Sequence, residues 1–207
     1  MIDRDTLLCM SLAGRPGNFG TRFHNYLYEK LGLNYIYKAF TTQDIAAAVN
    51  GVRALGIRGC AVSMPFKESC IAYLDALAPS AKAIDSVNTI VNDDGRLTGL
   101  NTDYIAVKSL IDRYQLDSSA KVMIQGSGGM GKAVIAAFRD AGFRDVIIAA
   151  RHRERGLALA SSTVFSGSPG RRESRRIFWL TSRRSAWRAA RKAKLWPLAR
   201  RWWNGPT

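Results

Sequence analysis

Val122-Met123-Ile124-Gln125-Gly126-Ser127-Gly128-Gly129-Met130-Gly131-Lys132 decides the fold of the second half of this chain. Val122–Gln125 is a short apolar run that reads as a strand. Gly126, Gly128 and Gly131 then spell G-x-G-x-x-G, with Gly129 inside the same loop. A helical pattern follows over Met130–Ala141 and a second apolar strand over Asp145–Ala150. In that setting the glycines open a βαβ unit that holds a dinucleotide. They let the backbone approach a pyrophosphate, and free N–H groups at the helix start stabilise its charge. A plain strand-to-helix turn is the competing reading. The second strand ends in Ala149-Ala150, where an NAD site usually carries an acid for the ribose 2′-hydroxyl. Arg151-His152-Arg153 follows instead, with Arg155 beyond. Guanidinium groups suit a 2′-phosphate, so the residues favour NADP, with Arg151 as its reader. A solvated basic helix start is the alternative.

Upstream, apolar runs alternate with helical patterns, which favours a parallel α/β design. Strands are expected at Leu7–Leu12, Tyr35–Phe40 and Gly59–Ser63, the last stopped by Pro65. Thr21 is a candidate cap for a helix to Leu31, and Thr42 or Asp44 for a helix to Leu55. Asp94-Gly95 between Thr89–Asn92 and Arg96–Leu100 is a hairpin signal. A helix is expected over Thr102–Tyr114, capped by Thr102 or Asp103. Three dispersed cysteines (Cys9, Cys60, Cys70) form neither a disulfide framework nor a metal knuckle, and they suit a reduced, cytoplasmic protein. His24 and His152 lack partners at ligand spacing, so no metal is expected. No apolar stretch approaches the roughly 20 residues of a membrane span.

Three segments exceed what packing asks for: Ser63-Met64-Pro65-Phe66-Lys67-Glu68, Asp85-Ser86-Val87-Asn88-Thr89 and Gly99-Leu100-Asn101-Thr102-Asp103. With the glycine loop they resemble the shikimate dehydrogenase family, whose stretches read V-T-x-P-x-K, G-A-V-N-T and G-x-N-T-D. The resemblance spans residues ~5–160 in the family's order. It implies a substrate domain (1–103) before a Rossmann-type dinucleotide domain (104–160), with the reaction in the cleft between them and NADP as cofactor. Carried over by position, Lys67 matches the catalytic lysine and Asp103 its partner carboxylate, while Asn88 and Ser63 match residues that hold substrate hydroxyls. That set fits the chemistry. Hydride transfer between an alcohol and a nicotinamide needs a proton to leave or join the oxygen, and a positioned lysine can carry it. Taken singly, Lys67 also reads as a surface lysine after a Pro turn.

One departure bears on the substrate. The family's carboxylate loop reads S-x-S-P-x-x-H-N, whereas here Asn18-Phe19-Gly20-Thr21-Arg22-Phe23-His24-Asn25 puts Asn18 and Gly20 where the serines stand. The chain therefore resembles a divergent branch, with Thr21 or Arg22 as substitute anion ligands. Shikimate, quinate and related polyol acids all remain open as the small-molecule substrate.

Beyond residue 160 the composition changes. All five tryptophans and 12 of the 31 Lys+Arg lie there, against a single acid, Glu173, of the 16. The tail carries +11 of the +15 net charge, so the global charge says little about the rest. The family's N-x-T-x-x-G-M loop is missing. Yet Ile177–Lys192, back-translated with chosen synonymous codons and read two bases later, gives ILVNVTPIGMAGGPE, which contains that loop. Ser161–Gly170 in the same phase gives QYGFQWLAG. A frameshift near residue 160 is therefore expected, leaving the dinucleotide domain incomplete and 161–207 as an unstructured basic tail, in a catalytically impaired or dead product. The competing reading is a genuine Arg/Trp segment for nucleic acid or a membrane surface. It has no nucleic-acid motif and no clean amphipathic period, so neither partner is expected.

Overall fold

In the computed structural model, residues 2–150, 153–162 and 177–179 are described. The chain divides into two compact units that part between Thr102 and Asp103.

In the first unit the strand β1 (Leu7–Leu12) buries Met10 and Leu12 on one face. It pairs in parallel with β2 (Tyr35–Phe40) and β3 (Gly59–Val62). Helix α2 (Ile45–Ala54) covers that face with Val49 and Val52, both fully buried. Its start is set by Asp44, whose carboxylate accepts the Ala47 N–H at 2.9 Å. Together Met10, Leu12, Val49, Val52, Cys60 and Ile90 anchor the core.

The parallel design holds for only part of this sheet. β5 (Thr89–Asp93) runs antiparallel to β3 and to β6 (Arg96–Leu100). The two-residue turn imposes the β5–β6 pairing, since so short a link joins only antiparallel neighbours. Asp94 and Gly95 both take positive φ, 51° and 90°, as the twisted hairpin turn demands. Three short elements that periodicity did not reveal complete the unit: a 3₁₀ turn (Ser69–Tyr73), β4 (Ala76–Leu77) and α3 (Pro79–Lys82). The strand order is β2-β1-β3-β5-β6-β4.

Helix α1 (Asn18–Lys30) begins earlier than expected. Gly17 is its N-cap and no side chain caps it, so Thr21 lies within the helix rather than at its start. α1 buries no residue completely and is held to β2 by aromatic contacts and one amide. The His24 ring stacks on Tyr37 at 4.4 Å, and burial lowers the pKa of its imidazole. Asn25 accepts the Tyr37 N–H at 2.8 Å and donates to the Tyr37 and Thr21 carbonyls, each at 2.9 Å. It thus bonds the outer edge of β2 as a further strand would.

The second unit holds α4 (Thr102–Arg113) from Asp103 onward, β7 (Val122–Gln125), α5 (Gly129–Asp140), β8 (Val146–Ala150) and α6 (Arg153–Ser162). β7 and β8 are parallel, with Ile124, Ile135 and Ile148 in the core beneath α5. Two described stretches fall within the expected tail, 161–207. α6 runs through Ser162, and a strand β9 (Ile177–Trp179) pairs in parallel with the other edge of β8. Ile-Phe-Trp is β-branched and aromatic, the composition that suits a strand, and β8 offered an unpaired row of N–H and C=O groups. The rest of the expected tail lies outside the described residues. Among the described residues no helix is long and apolar enough to cross a membrane.

Asn25→Ala should destabilise the first unit by about 1–3 kcal/mol, because it removes three hydrogen bonds at a half-buried seam. Urea unfolding checks this, and an unchanged midpoint would refute the seam's importance.

Candidate functional site

The segments singled out in the first unit converge through their backbones. The Val62 N–H donates to the Asn88 carbonyl at 2.7 Å, and the Val87 N–H to the Lys67 carbonyl at 2.8 Å. The turn after β3 closes with the Phe66 N–H on the Ser63 carbonyl at 2.9 Å, and Phe66 drops into the core. Ser63 is left exposed and Lys67 half-buried beside the Asn88 segment. The Gly14 N–H donates to the Met64 carbonyl at 2.9 Å, tying the loop after β1 to this turn. Both loops leave the carboxyl ends of parallel strands, where α/β sheets place their ligands.

Asn88 is the hub. Its Oδ1 accepts from the Thr89 hydroxyl and from the Thr102 N–H, each at 2.9 Å, and its Nδ2 donates to the Thr102 hydroxyl at 2.9 Å. The helix start expected to be capped by Thr102 or Asp103 is instead capped by this distant amide at the Thr102 N–H. The pattern fixes the amide's orientation and leaves its second N–H for a ligand. It also brings in the exposed hydroxyl of Thr102, which was read only as a cap; its place between Asn101 and Asp103 was the available signal.

Two further motif residues are structural. Asn101, 1% exposed, donates from Nδ2 to the Ser86 carbonyl at 2.9 Å, and its N–H reaches the Ser80 hydroxyl at 3.1 Å. At Gly99 a Cβ would lie 2.7 Å from both Leu74 Cδ1 and Val87 Cγ2, so a side chain there would have to displace both. Asp103 stands in the first turn of α4, where its negative charge suits the helix dipole.

Asn18, Thr21 and Arg22 fall on one face of the start of α1, at i, i+3 and i+4 spacing, at the same end of the sheet as Ser63. Asn18 and Arg22 are exposed and Thr21 is half-buried. A Cβ at Gly20 would lie 3.7 Å from the Tyr37 ring, an ordinary contact. Packing therefore does not dictate glycine there.

In the second unit the loop glycines have separate tasks. Gly126 takes φ +120° while its N–H donates to the Ala149 carbonyl at 2.8 Å. At Gly131 a Cβ would lie 2.6 Å from the Gly126 oxygen and 2.9 Å from its carbonyl carbon, so this glycine permits the close strand–helix turn. Gly128 is the N-cap of α5, with nothing within 4 Å of its Cβ direction and no side chain capping the helix. Next to it Gly129 opens the helix. An open cradle of backbone before uncapped helix N–H groups fits a dinucleotide pyrophosphate. Ala149 and Ala150 are buried, with no acid at the end of β8. Arg151 lies outside the described residues. Burial pushes the Cys60 and Cys70 thiols up to about 12 and about 11, so both stay protonated packing groups.

Comparison with known proteins agrees with both units. A family model described as the shikimate dehydrogenase substrate binding domain matches residues 19–90, and one described as shikimate/quinate 5-dehydrogenase matches residues 109–167. A shikimate dehydrogenase-like protein of Haemophilus influenzae is 66% identical over 161 residues, 78% of this chain and 59% of that protein. The shikimate dehydrogenase (NADP(+)) of Pyrococcus abyssi is 36% identical over 76% of this chain and 60% of its own length. Among solved structures, a shikimate 5-dehydrogenase-like protein aligns with TM-score 0.77 at 59% identity, over 88% of this chain and 63% of that one. The Thermus thermophilus shikimate 5-dehydrogenase, solved with NADP(H) and shikimate, aligns at 0.67 with 31% identity, over 76% of this chain and 60% of that one. This chain thus spans about three fifths of the length of these relatives.

Gly131→Ala should cost about 1–3 kcal/mol, because the clash is with backbone that cannot rotate away. Thermal unfolding tests this; an unchanged midpoint would show that the close approach is dispensable.

Proposed function

The chain belongs to the shikimate dehydrogenase family, and from that premise we propose that its framework serves hydride transfer between NADP(H) and a polyol acid of the shikimate/3-dehydroshikimate type. The observation that carries this reading is the convergence of Ser63, Lys67, Asn88 and Thr102 on one end of the first sheet, held by backbone bonds and the Asn88 clamp.

On this reading residues 1–103 form the substrate domain and 104–160 a partial dinucleotide domain. Lys67 Nζ takes the proton from the reacting hydroxyl, or returns it in reduction, and the Asp103 carboxylate orients lysine and hydroxyl. The remaining Asn88 N–H and the Ser63 hydroxyl bond other substrate hydroxyls. Asn18, Thr21 and Arg22 hold the carboxylate, Arg22 by charge. NADP, when bound, supplies the hydride acceptor or donor. Gly126, Gly128, Gly129 and Gly131 would hold its pyrophosphate through backbone N–H groups, and Arg151 its 2′-phosphate. Relatives named for NADP(+) support this cofactor. Quinate stands beside shikimate as substrate because both carboxylate serines are replaced.

We further propose that a frameshift near residue 160 has replaced the later part of the dinucleotide domain, leaving this form impaired. The family match ending at residue 167 and the shifted-phase reading of the tail support it. The DNA across this region decides the frame.

Mass-verified 207-residue protein should show no NADP-dependent turnover of shikimate or quinate; measurable turnover would overturn the impairment. In a frame-restored chain Lys67→Ala should lower kcat by about 10²–10⁴, with a smaller effect on substrate affinity. An unchanged kcat would remove Lys67 from proton transfer.

A further inference from the structure

The β5–β6 hairpin connects two different ends of the first sheet. At one end lie Asn88 and Thr102; about 16 Å away, five residues along the strands, lies the Asp94-Gly95 turn. Beside this turn is an open cavity of about 480 Å³ lined by Arg53, Asp75, Gly95 and Arg96.

The polar atoms of the cavity are arranged with a bias. Arg53, in the last turn of α2, donates from Nη1 to Asp75 Oδ2 at 2.6 Å and to the Gly95 carbonyl, and from Nη2 to the Tyr73 carbonyl at 3.3 Å. The Leu97 N–H donates to the same Asp75 Oδ2 at 2.7 Å. Both bonds to Asp75 therefore fall on one oxygen, and together they hold its carboxyl below the usual range. Oδ1 keeps its lone pairs for another donor. Arg96, also among the lining residues, is exposed. Two guanidinium groups and one carboxylate line the cavity, and a guanidinium fork matches the oxygens of a phosphate.

We propose that this cavity binds a small phosphate ester carrying a free hydroxyl. The phosphate sits on the Arg96 fork within the field of Arg53, and the hydroxyl donates to Asp75 Oδ1. The site lies in the first unit alone and does not depend on the dehydrogenase reading. None of its lining residues is among the candidate substrate or cofactor ligands.

The test is an NMR titration of the isotope-labelled 207-residue protein with glycerol 3-phosphate at constant ionic strength. The expected result is saturable shifts at the amides of Gly95, Arg96 and Leu97. Arg96→Ala, at an exposed position, should weaken binding roughly tenfold, the worth of one charge-assisted contact. Arg96→Lys, which keeps the charge and loses the fork, should fall between. Inorganic phosphate should bind more weakly than the ester, and glycerol should not bind. Absent saturation, shifts that survive Arg96→Ala, or equal shifts with sodium chloride would overturn the site. Equal affinity for phosphate and glycerol 3-phosphate would overturn the role of Asp75.

Discussion

One side-chain amide organises the first unit. Asn88 bonds through its carbonyl to the end of β3, through its N–H to the Leu100 carbonyl at the end of β6, and through its side chain to the first turn of α4. Three elements separated in sequence are therefore fixed by one residue. The groups around it, exposed Ser63 and Thr102 and half-buried Lys67, keep their places because backbone bonds brace the chain near Asn88. A partly buried polar hub of this kind is stable only when nearly every donor and acceptor is met, and here Thr89, Thr102, Val62 and Leu100 meet them. Pre-organisation of the site and stability of the fold thus rest on the same bonds.

Much of the architecture was legible because local rules agreed with tertiary needs. β1, β2 and β6 match the expected strands residue for residue, and Asp94-Gly95 gave the hairpin through its demand for positive φ. The start of α1 was misplaced because Gly17 caps it with no side chain, leaving no polar signature, and Thr21 looked like the better cap. β4 and the 3₁₀ turn were invisible because two or five residues are too few to show a period. β9 went unread because its three residues sit in a run whose composition suggested no fold. The site was legible as motifs but not as bonds: that Asn88 caps α4 from 14 residues away is a tertiary fact no local pattern carries.

The glycines show how one residue type serves separate ends. Gly126 supplies a backbone angle, Gly131 a close approach and Gly99 room for Leu74 and Val87, whereas Gly20 is required by none of these. A motif match gives equal weight to such positions; the space around each one separates packing constraints from ligand constraints. Asn101 and Gly99 hold the loop's shape, while Asn88 and Thr102 bond each other at its edge.

The pairing of β8 with β9 bears on the modularity of the chain. A parallel sheet edge recognises the spacing of N–H and C=O groups and is nearly blind to side-chain identity, so three residues suffice to dock there. Selectivity for the segment after α6 must then come from linker length and from the faces of the new strand, not from the edge itself.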